Sequence, residues 1–155
     1  MTVTAADIMT PKLVVVHPFD SVSKVAAVLS EHGISAAPVV DAEGKLLGMV
    51  SEHDLIHRLG AMDEKRRSWW LHMLAEGEEL APVFLEYMKQ EKRITADLMT
   101  RDVVSVTDDV PVAEVVDLLA KHHIKRVPVL REGKVVGIVS RADIIRAIAS
   151  GLMKG

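Results

Sequence analysis

No cysteine occurs among the 155 residues. That excludes a disulfide framework, a zinc–thiolate site and a thiol nucleophile. Aromatic residues are nearly as scarce: two Trp, one Tyr and two Phe make up 3% of the chain. Apolar residues still reach 49%, so a core can form, but Val, Ile, Leu, Ala and Met must build it. Neither sign of charge dominates. The 19 Lys and Arg against 22 Asp and Glu leave a net charge of −3, which argues against a nucleic-acid binder with a basic face. No uncharged apolar run approaches the roughly 18 residues that a spanning helix needs. The segment Met1 to Asp7 shows no basic stretch leading into an apolar one, so no signal peptide is expected. A cytoplasmic protein with no membrane or nucleic-acid partner is the expectation.

What is present is a repeat. Residues 5–59 align with 95–148, with a one-residue gap at Ala42, and 21 of the 54 aligned pairs are identical. Asp7-Ile8-Met9-Thr10 matches Asp97-Leu98-Met99-Thr100. Ile34 to Val40 matches Ile124 to Leu130, with Pro38 aligned to Pro128. Gly48 to Asp54 matches Gly137 to Asp143, keeping Gly, Ser and Asp in register. Self-similarity of this kind marks duplicated supersecondary units.

Each copy reads as β-α-β-β-α. A β-branched run opens it, Leu13 to Val16 or Val103 to Val106. A helix follows, with Val22, Val25, Ala26, Val28 and Leu29, or Val112, Val115, Val116, Leu118 and Leu119, at helical spacing. Ser21 suits the first N-cap; Pro111 suits the opening turn of the second helix, with Asp108 or Asp109 as its cap. Gly33 and His123 mark the helix ends. Strands Ala37–Val40 and Leu46–Val50, or Val127–Leu130 and Val135–Val139, flank Gly-containing turns. A last helix begins at Ser51 or Ser140. The expected fold is therefore α/β (α+β): two pseudo-symmetric repeats packed sheet to sheet, since one copy is too small to bury both faces of its sheet.

The repeated Ser51-x-x-Asp54 and Ser140-x-x-Asp143 sit at strand-to-helix junctions. Unpaired N–H groups there favour an anion; a Ser hydroxyl can donate to phosphate, and an Asp one turn on can accept from ribose hydroxyls. A plain capping box also explains the same residues, and the duplication does not remove that reading, because a repeat repeats its caps too. Lys125-Arg126 precedes Pro128 in otherwise apolar surroundings, where Arg suits phosphate geometry and a solvated strand end is the alternative. The equivalent positions are Ser35-Ala36. His53-Asp54-Leu55-Ile56-His57 imitates a zinc helix but lacks the Glu base and a third ligand, so no metal is expected. The Gly-Lys turns at 44–45 and 133–134 lack the phosphate-loop pattern. No nucleophile–base constellation is present, and no catalytic residue or enzymatic activity is expected.

With these motifs the chain resembles a tandem CBS-domain protein, or Bateman module, of the bacterial type with an inserted Arg-Arg-Ser-Trp-Trp segment. The resemblance spans 5–59 and 95–150. It implies a regulatory module that senses adenosine compounds: AMP, ADP or ATP first, S-adenosylmethionine or NAD next. It implies crossed clefts between the repeats. In one, Ser51 and Asp54 face Thr100, Asp102, Val103, Ile124, Lys125 and Arg126. In the other, Ser140 and Asp143 face Thr10, Lys12, Val14, Ile34, Ser35 and Ala36. Asp54 and Asp143 would hold ribose, Ser51, Ser140, Lys125 and Arg126 phosphate, with His53 and Arg141 as helpers, and Met49 and Ile138 would flank adenine. On that grouping a phosphorylated ligand prefers the Asp54 cleft.

Residues 60–94 belong to neither repeat, and four of the five rings lie there: Trp69, Trp70, Phe84 and Tyr87. Leu80, Val83, Phe84, Tyr87 and Met88 form a helical stripe, and a helical hairpin is expected. It serves packing, a homodimer interface or an effector protein. The rival to a sensor is an interaction protein with vestigial clefts.

Overall fold

The computed structural model describes residues 2–11, 13–59 (side chains through 56) and 92–152. The expected hairpin over 60–94, with its Arg-Arg-Ser-Trp-Trp run, falls almost wholly outside the described residues, as does Lys12. Mixed helix and strand in two matching sets is the observed architecture.

The first copy begins with α1 (Ala5–Ile8), a single helical turn too short for periodicity to reveal. Asp7 fastens it: its carboxylate accepts from Thr4 N–H at 2.8 Å and from Thr4 Oγ1 at 3.1 Å. Next is α2 (Val22–His32), whose buried face is Val22, Val25, Ala26 and Leu29. Ser21 Oγ caps it by accepting Lys24 N–H at 3.1 Å, and Gly33 closes it in the left-handed region. Strand β1 (Ala36–Val40) is buried at every position and pairs with β2 (Leu46–Ser51). Then comes α3 (Glu52–Leu59).

The second copy repeats the series: α4 (Thr95–Leu98), β3 (Val106–Thr107), α5 (Val112–His122), β4 (Arg126–Arg131), β5 (Lys134–Ser140) and α6 (Arg141–Ala149). Strand β4 pairs parallel with β3 and antiparallel with β5.

Three expectations need correction. The opening runs are hardly strands: Leu13–Val16 makes one parallel bridge, Val16 to Val39, and Val103–Val106 contributes only its last residue to β3. Proline is the reason. Val16 N–H donates to Pro38 C=O and Val40 N–H donates back to Val16 C=O, both at 3.0 Å. The next rung toward Val14 needs an N–H from Pro38, which has none; Pro128 stands in the same place in the second copy. Secondly, neither Asp108 nor Asp109 caps α5, which opens with Pro111 at the cap. Asp109 accepts from Thr107 Oγ1 at 2.6 Å and Asp108 from Arg131 Nε at 2.8 Å, local bonds that compete with capping. Thirdly, Phe19, the one ring within the repeats and so expected in their otherwise aliphatic core, serves neither core; it is 82% exposed.

The copies are interlaced. One unit comprises Val14–Asp41 and Leu47–Arg101; the other comprises Met1–Leu13, Ala42–Leu46 and Asp102–Gly155. Each thus takes its opening strap from the other repeat. In the first, Thr95 and Ala96 N–H donate to Asp20 and Pro18 C=O, both at 2.9 Å. Thr100 and Met49 then exchange backbone bonds of 2.8 and 2.9 Å. Leu98 and Met99 enter a core that includes Val16, Val22, Val25, Leu29, Val39, Val50 and Leu55. In the second, Ala5 N–H donates to Val110 C=O at 2.8 Å, and Thr10 and Ile138 exchange bonds of 2.8 and 3.1 Å. Ala5 and Ile8 pack with Val106, Val115, Leu119, Val127, Val129 and Val139. Both cores are aliphatic.

Glycine makes the straps possible. A Cβ on Gly48 would stand 2.6 Å from Thr100 O and 3.0 Å from Met99 Sδ. On Gly137 it would collide with Met9, 2.8 Å from Cγ.

Candidate functional site

Strand β2 delivers Ser51 to the start of α3, and β5 delivers Ser140 to the start of α6. In both, the capping box is fully made. Ser51 Oγ accepts Asp54 N–H at 3.0 Å, while Asp54 Oδ2 accepts from Ser51 N–H at 2.9 Å and Oγ at 3.0 Å. At the other helix, Ser140 Oγ accepts Asp143 N–H at 3.3 Å, and Asp143 Oδ2 accepts from Ser140 N–H at 2.8 Å and Oγ at 3.0 Å. Capping and ligand binding are therefore not rival readings here: the box aims one carboxylate oxygen inward and leaves the other for further donors.

That second oxygen meets the strap. Thr100 Oγ1 donates to Asp54 Oδ1 at 3.2 Å, and Thr10 Oγ1 donates to Asp143 Oδ1 at 2.9 Å. The structure so brings Ser51, Asp54 and Thr100 together in one unit, and Ser140, Asp143 and Thr10 in the other. The two carboxylates differ in setting. Asp143 is 3% exposed and its Oδ1 is also paired with Arg146; Asp54 is half-buried. Arg146 was not among the expected site residues. Its i, i+3 spacing from Asp143 on one helix was the signal that could have found it.

The remaining expected residues distribute by hairpin geometry. Arg126, the first residue of β4, is the rung partner of Ser140, the last of β5. Lys125 C=O accepts Arg141 N–H at 3.0 Å. The basic pair accordingly stands at the start of Asp143's own helix, whereas the resemblance implies that it faces Ser51 and Asp54 across a cleft. By the same geometry Ser35 C=O accepts Glu52 N–H at 2.8 Å, and Ser35 and Ala36 share the unit of Asp54. Met49 and Ile138 are half-buried and bridge the straps at Thr100 and Thr10. Ile34 packs against one core and Ile124 against the other. Val14 is half-buried in the Asp54 unit; Val103 and the exposed Asp102 belong to the Asp143 unit. His53 and Arg141 are exposed on the first turns of their helices. Among the described residues, no group of three or more His, Asp or Glu could hold a metal ion, and no helix is long and apolar enough to cross a membrane.

Comparison with known proteins reaches the same motifs. A family model described as "CBS domain" matches twice, over residues 5–61 and 95–150. An uncharacterized protein of Methanocaldococcus jannaschii is 31% identical over 150 residues, covering 92% of this chain and 89% of that one. The solved structure of CBSX2, a CBS-pair protein of Arabidopsis thaliana, matches at 28% identity and a TM-score of 0.74 over the whole of both chains. CBSX2 in complex with AMP matches at 28% identity and a TM-score of 0.70, covering 97% of this chain and 98% of that one. The domain pair of protein MJ0100, in complex with 5′-methylthioadenosine and S-adenosylmethionine, matches at 27% identity and a TM-score of 0.68, covering 97% and 99%.

Proposed function

Because the chain belongs to the CBS-domain family and carries two copies of the domain, we propose that it is a regulatory module that binds adenosine-type ligands. It catalyses nothing itself and signals occupancy to a protein effector through a change of conformation. AMP, ADP and ATP are the first ligands in this reading, S-adenosylmethionine and NAD the next. The observation that carries it is the doubled Ser-x-x-Asp helix start, each with a Thr from the opposite repeat on its carboxylate, in a chain similar to pairs solved with AMP and with methylthioadenosine. Asp54 and Asp143 would accept the ribose hydroxyls, and the Ser51 and Ser140 hydroxyls would turn from their own Asp carboxylates to donate to the ligand.

The protein acts as a homodimer in this reading. Ile145, Ile148 and Leu152 are exposed at successive turns of α6 and just beyond it, and Ile56 repeats Ile145 on α3. A sedimentation mass of two chains is expected.

A thermal-shift series with AMP, ADP, ATP, S-adenosylmethionine and NAD tests the ligand class. At a hundredfold over Kd a bound ligand stabilises by about 2.7 kcal/mol, which for a chain of this size raises the midpoint by about 5–10 °C. One observation favours the rival reading of vestigial sites: the carboxylate of Asp143 is already filled, by Ser140, Thr10 and Arg146. No shift with any of the five compounds would establish it.

A further inference from the structure

Resting on that reading, we infer that the two sites divide their ligands by charge. The Asp143 site takes phosphorylated, anionic adenosine compounds; the Asp54 site takes uncharged or sulfonium-bearing ones.

Comparing the two copies position by position around the helix start carries the inference. In the second copy four cationic residues occur at the helix start that carries Asp143, each within one rung of Ser140 or one turn of α6. Arg126 is the rung partner of Ser140. Lys125 is bonded through its carbonyl to Arg141, the first residue of α6. Arg146 is paired with Asp143 itself. The equivalent positions in the first copy are Ala36, Ser35, Glu52 and His57. Not one of the four is Lys or Arg, and one is acidic. The helix starts thus differ in composition: four cationic residues and one carboxylate at α6, against two carboxylates with no Lys or Arg at the matching places of α3. The cation nearest in sequence to Asp54 is Arg58, whose counterpart in the second copy is Ala147; Arg101, which follows Thr100, donates to Ala96 C=O at 3.3 Å within its own strap.

The rest of each site is nearly the same: Ser, Asp, strap Thr and a half-buried apolar residue at Met49 or Ile138. Both therefore offer the same handles to a nucleoside, and discrimination falls to the charged groups. Lys125, Arg141 and Arg146 are solvent-exposed, so they can reorient to a phosphate and their field is screened by salt. At α3 the first turn is acidic, with Glu52 and Asp54. Those carboxylates already complement the positive end of the helix and repel a phosphate brought beside them. The same acidic turn favours a cationic sulfonium.

Arg146 adds a consequence. It shares Asp143 Oδ1 with Thr10, so a ribose arriving at Asp143 displaces one of the two. A displaced guanidinium beside a phosphate finds a charged partner; beside an uncharged nucleoside it finds only water, since Arg146 is solvent-exposed. The pairing that fills Asp143 thereby selects against ligands without phosphate.

The test is calorimetric titration of the whole chain with ATP and, separately, with 5′-methylthioadenosine, then with each in the presence of the other. The variant carries the first copy's residues in the second: Lys125→Ser, Arg126→Ala and Arg141→Glu together. The fold tolerates those residue types at the matching positions, and circular dichroism checks that the variant is folded. Each lost charged contact to phosphate weakens binding by about tenfold to a hundredfold. ATP is expected to lose at least tenfold in affinity and methylthioadenosine less than threefold. ATP affinity in the unaltered chain should fall as salt rises while methylthioadenosine affinity stays level, and each ligand should bind with the other present. An ATP affinity within threefold of the unaltered chain in a folded variant overturns the division, and so does displacement of methylthioadenosine by ATP. If none of these compounds binds the unaltered chain, the sensing function itself falls and the division goes with it.

Discussion

Replacing Gly48 by Ala should be far costlier than the same change at Gly137, although the two positions are equivalent in the repeat. The added methyl group at 48 lands 2.6 Å from Thr100 O, a backbone atom, and 3.0 Å from Met99 Sδ. Thr100 O is also the acceptor for Met49 N–H at 2.9 Å, and Thr100 N–H returns a bond of 2.8 Å to Met49. The strap must move bodily, straining both bonds. Overpacking costs about 1–3 kcal/mol, and two weakened backbone bonds add about 1 kcal/mol each. Gly48 does not use a left-handed conformation, so Ala regains about 0.4–1 kcal/mol by restricting the unfolded chain. The net loss is about 2–4 kcal/mol, or a fall in midpoint near ~10 °C. At Gly137 the three nearest atoms all belong to the Met9 side chain, which is half-buried and can rotate away, so the cost is about 1 kcal/mol. Thermal and urea unfolding of both variants, followed by circular dichroism, measures the difference. A double-mutant cycle sharpens it: Met9→Ala should relieve Gly137→Ala, whereas Met99→Ala should leave the Gly48 penalty in place, because the backbone oxygen stays put. Equal midpoints for the two glycine variants, or full rescue at 48 by Met99→Ala, would refute the strap argument.

Thr10→Val should destabilise by about 1 kcal/mol, since it removes a 2.9 Å donor from a buried carboxylate. Thr100→Val should cost less, because its bond to Asp54 is 3.2 Å and exposed; chemical denaturation of the pair ranks them, and the reverse order would count against the assigned geometry. His123→Gly should raise the melting midpoint by several degrees. His123 ends α5 with φ 53°, a conformation that costs an L residue about 1 kcal/mol or more, while Gly33 serves the same turn of the first copy. An unchanged or lower midpoint would mean that the imidazole makes a compensating contact.

The duplicated blocks made the fold legible, because Pro, Gly, Ser and Asp recur at positions with fixed backbone duties. Helical spacing located α2 and α5, and Ser21 capped where expected. The opening strands were overread because β-branched composition says nothing about a partner's missing N–H at Pro38 or Pro128. The four-residue helices α1 and α4 were too short to carry a period. At the site, Ser51, Asp54, Ser140 and Asp143 were legible as helix starts. The neighbourhood of Lys125 and Arg126 was legible too, from a rule of hairpins that went unapplied: the first residue of one strand lies opposite the last residue of the next. That Thr100 meets Asp54 and Thr10 meets Asp143 came from the resemblance alone, since chain order by itself gives no hint of which unit a short strap will join.

That exchange has a bearing on how such a chain could be divided. Cut between residues 60 and 91, it would give two fragments, each carrying the strap that the other's sheet requires and lacking its own. Mixed, the halves can trade straps and rebuild both units. Kept apart, each half can close only by borrowing from an identical copy, as domain-swapped pairs do. The match of Asp7-Ile8-Met9-Thr10 to Asp97-Leu98-Met99-Thr100 keeps that substitution in register. A gene for one repeat would encode a mutually clasped pair of chains. Fusing two such genes turns the clasp into an intramolecular one, at the raised effective concentration that a tether supplies.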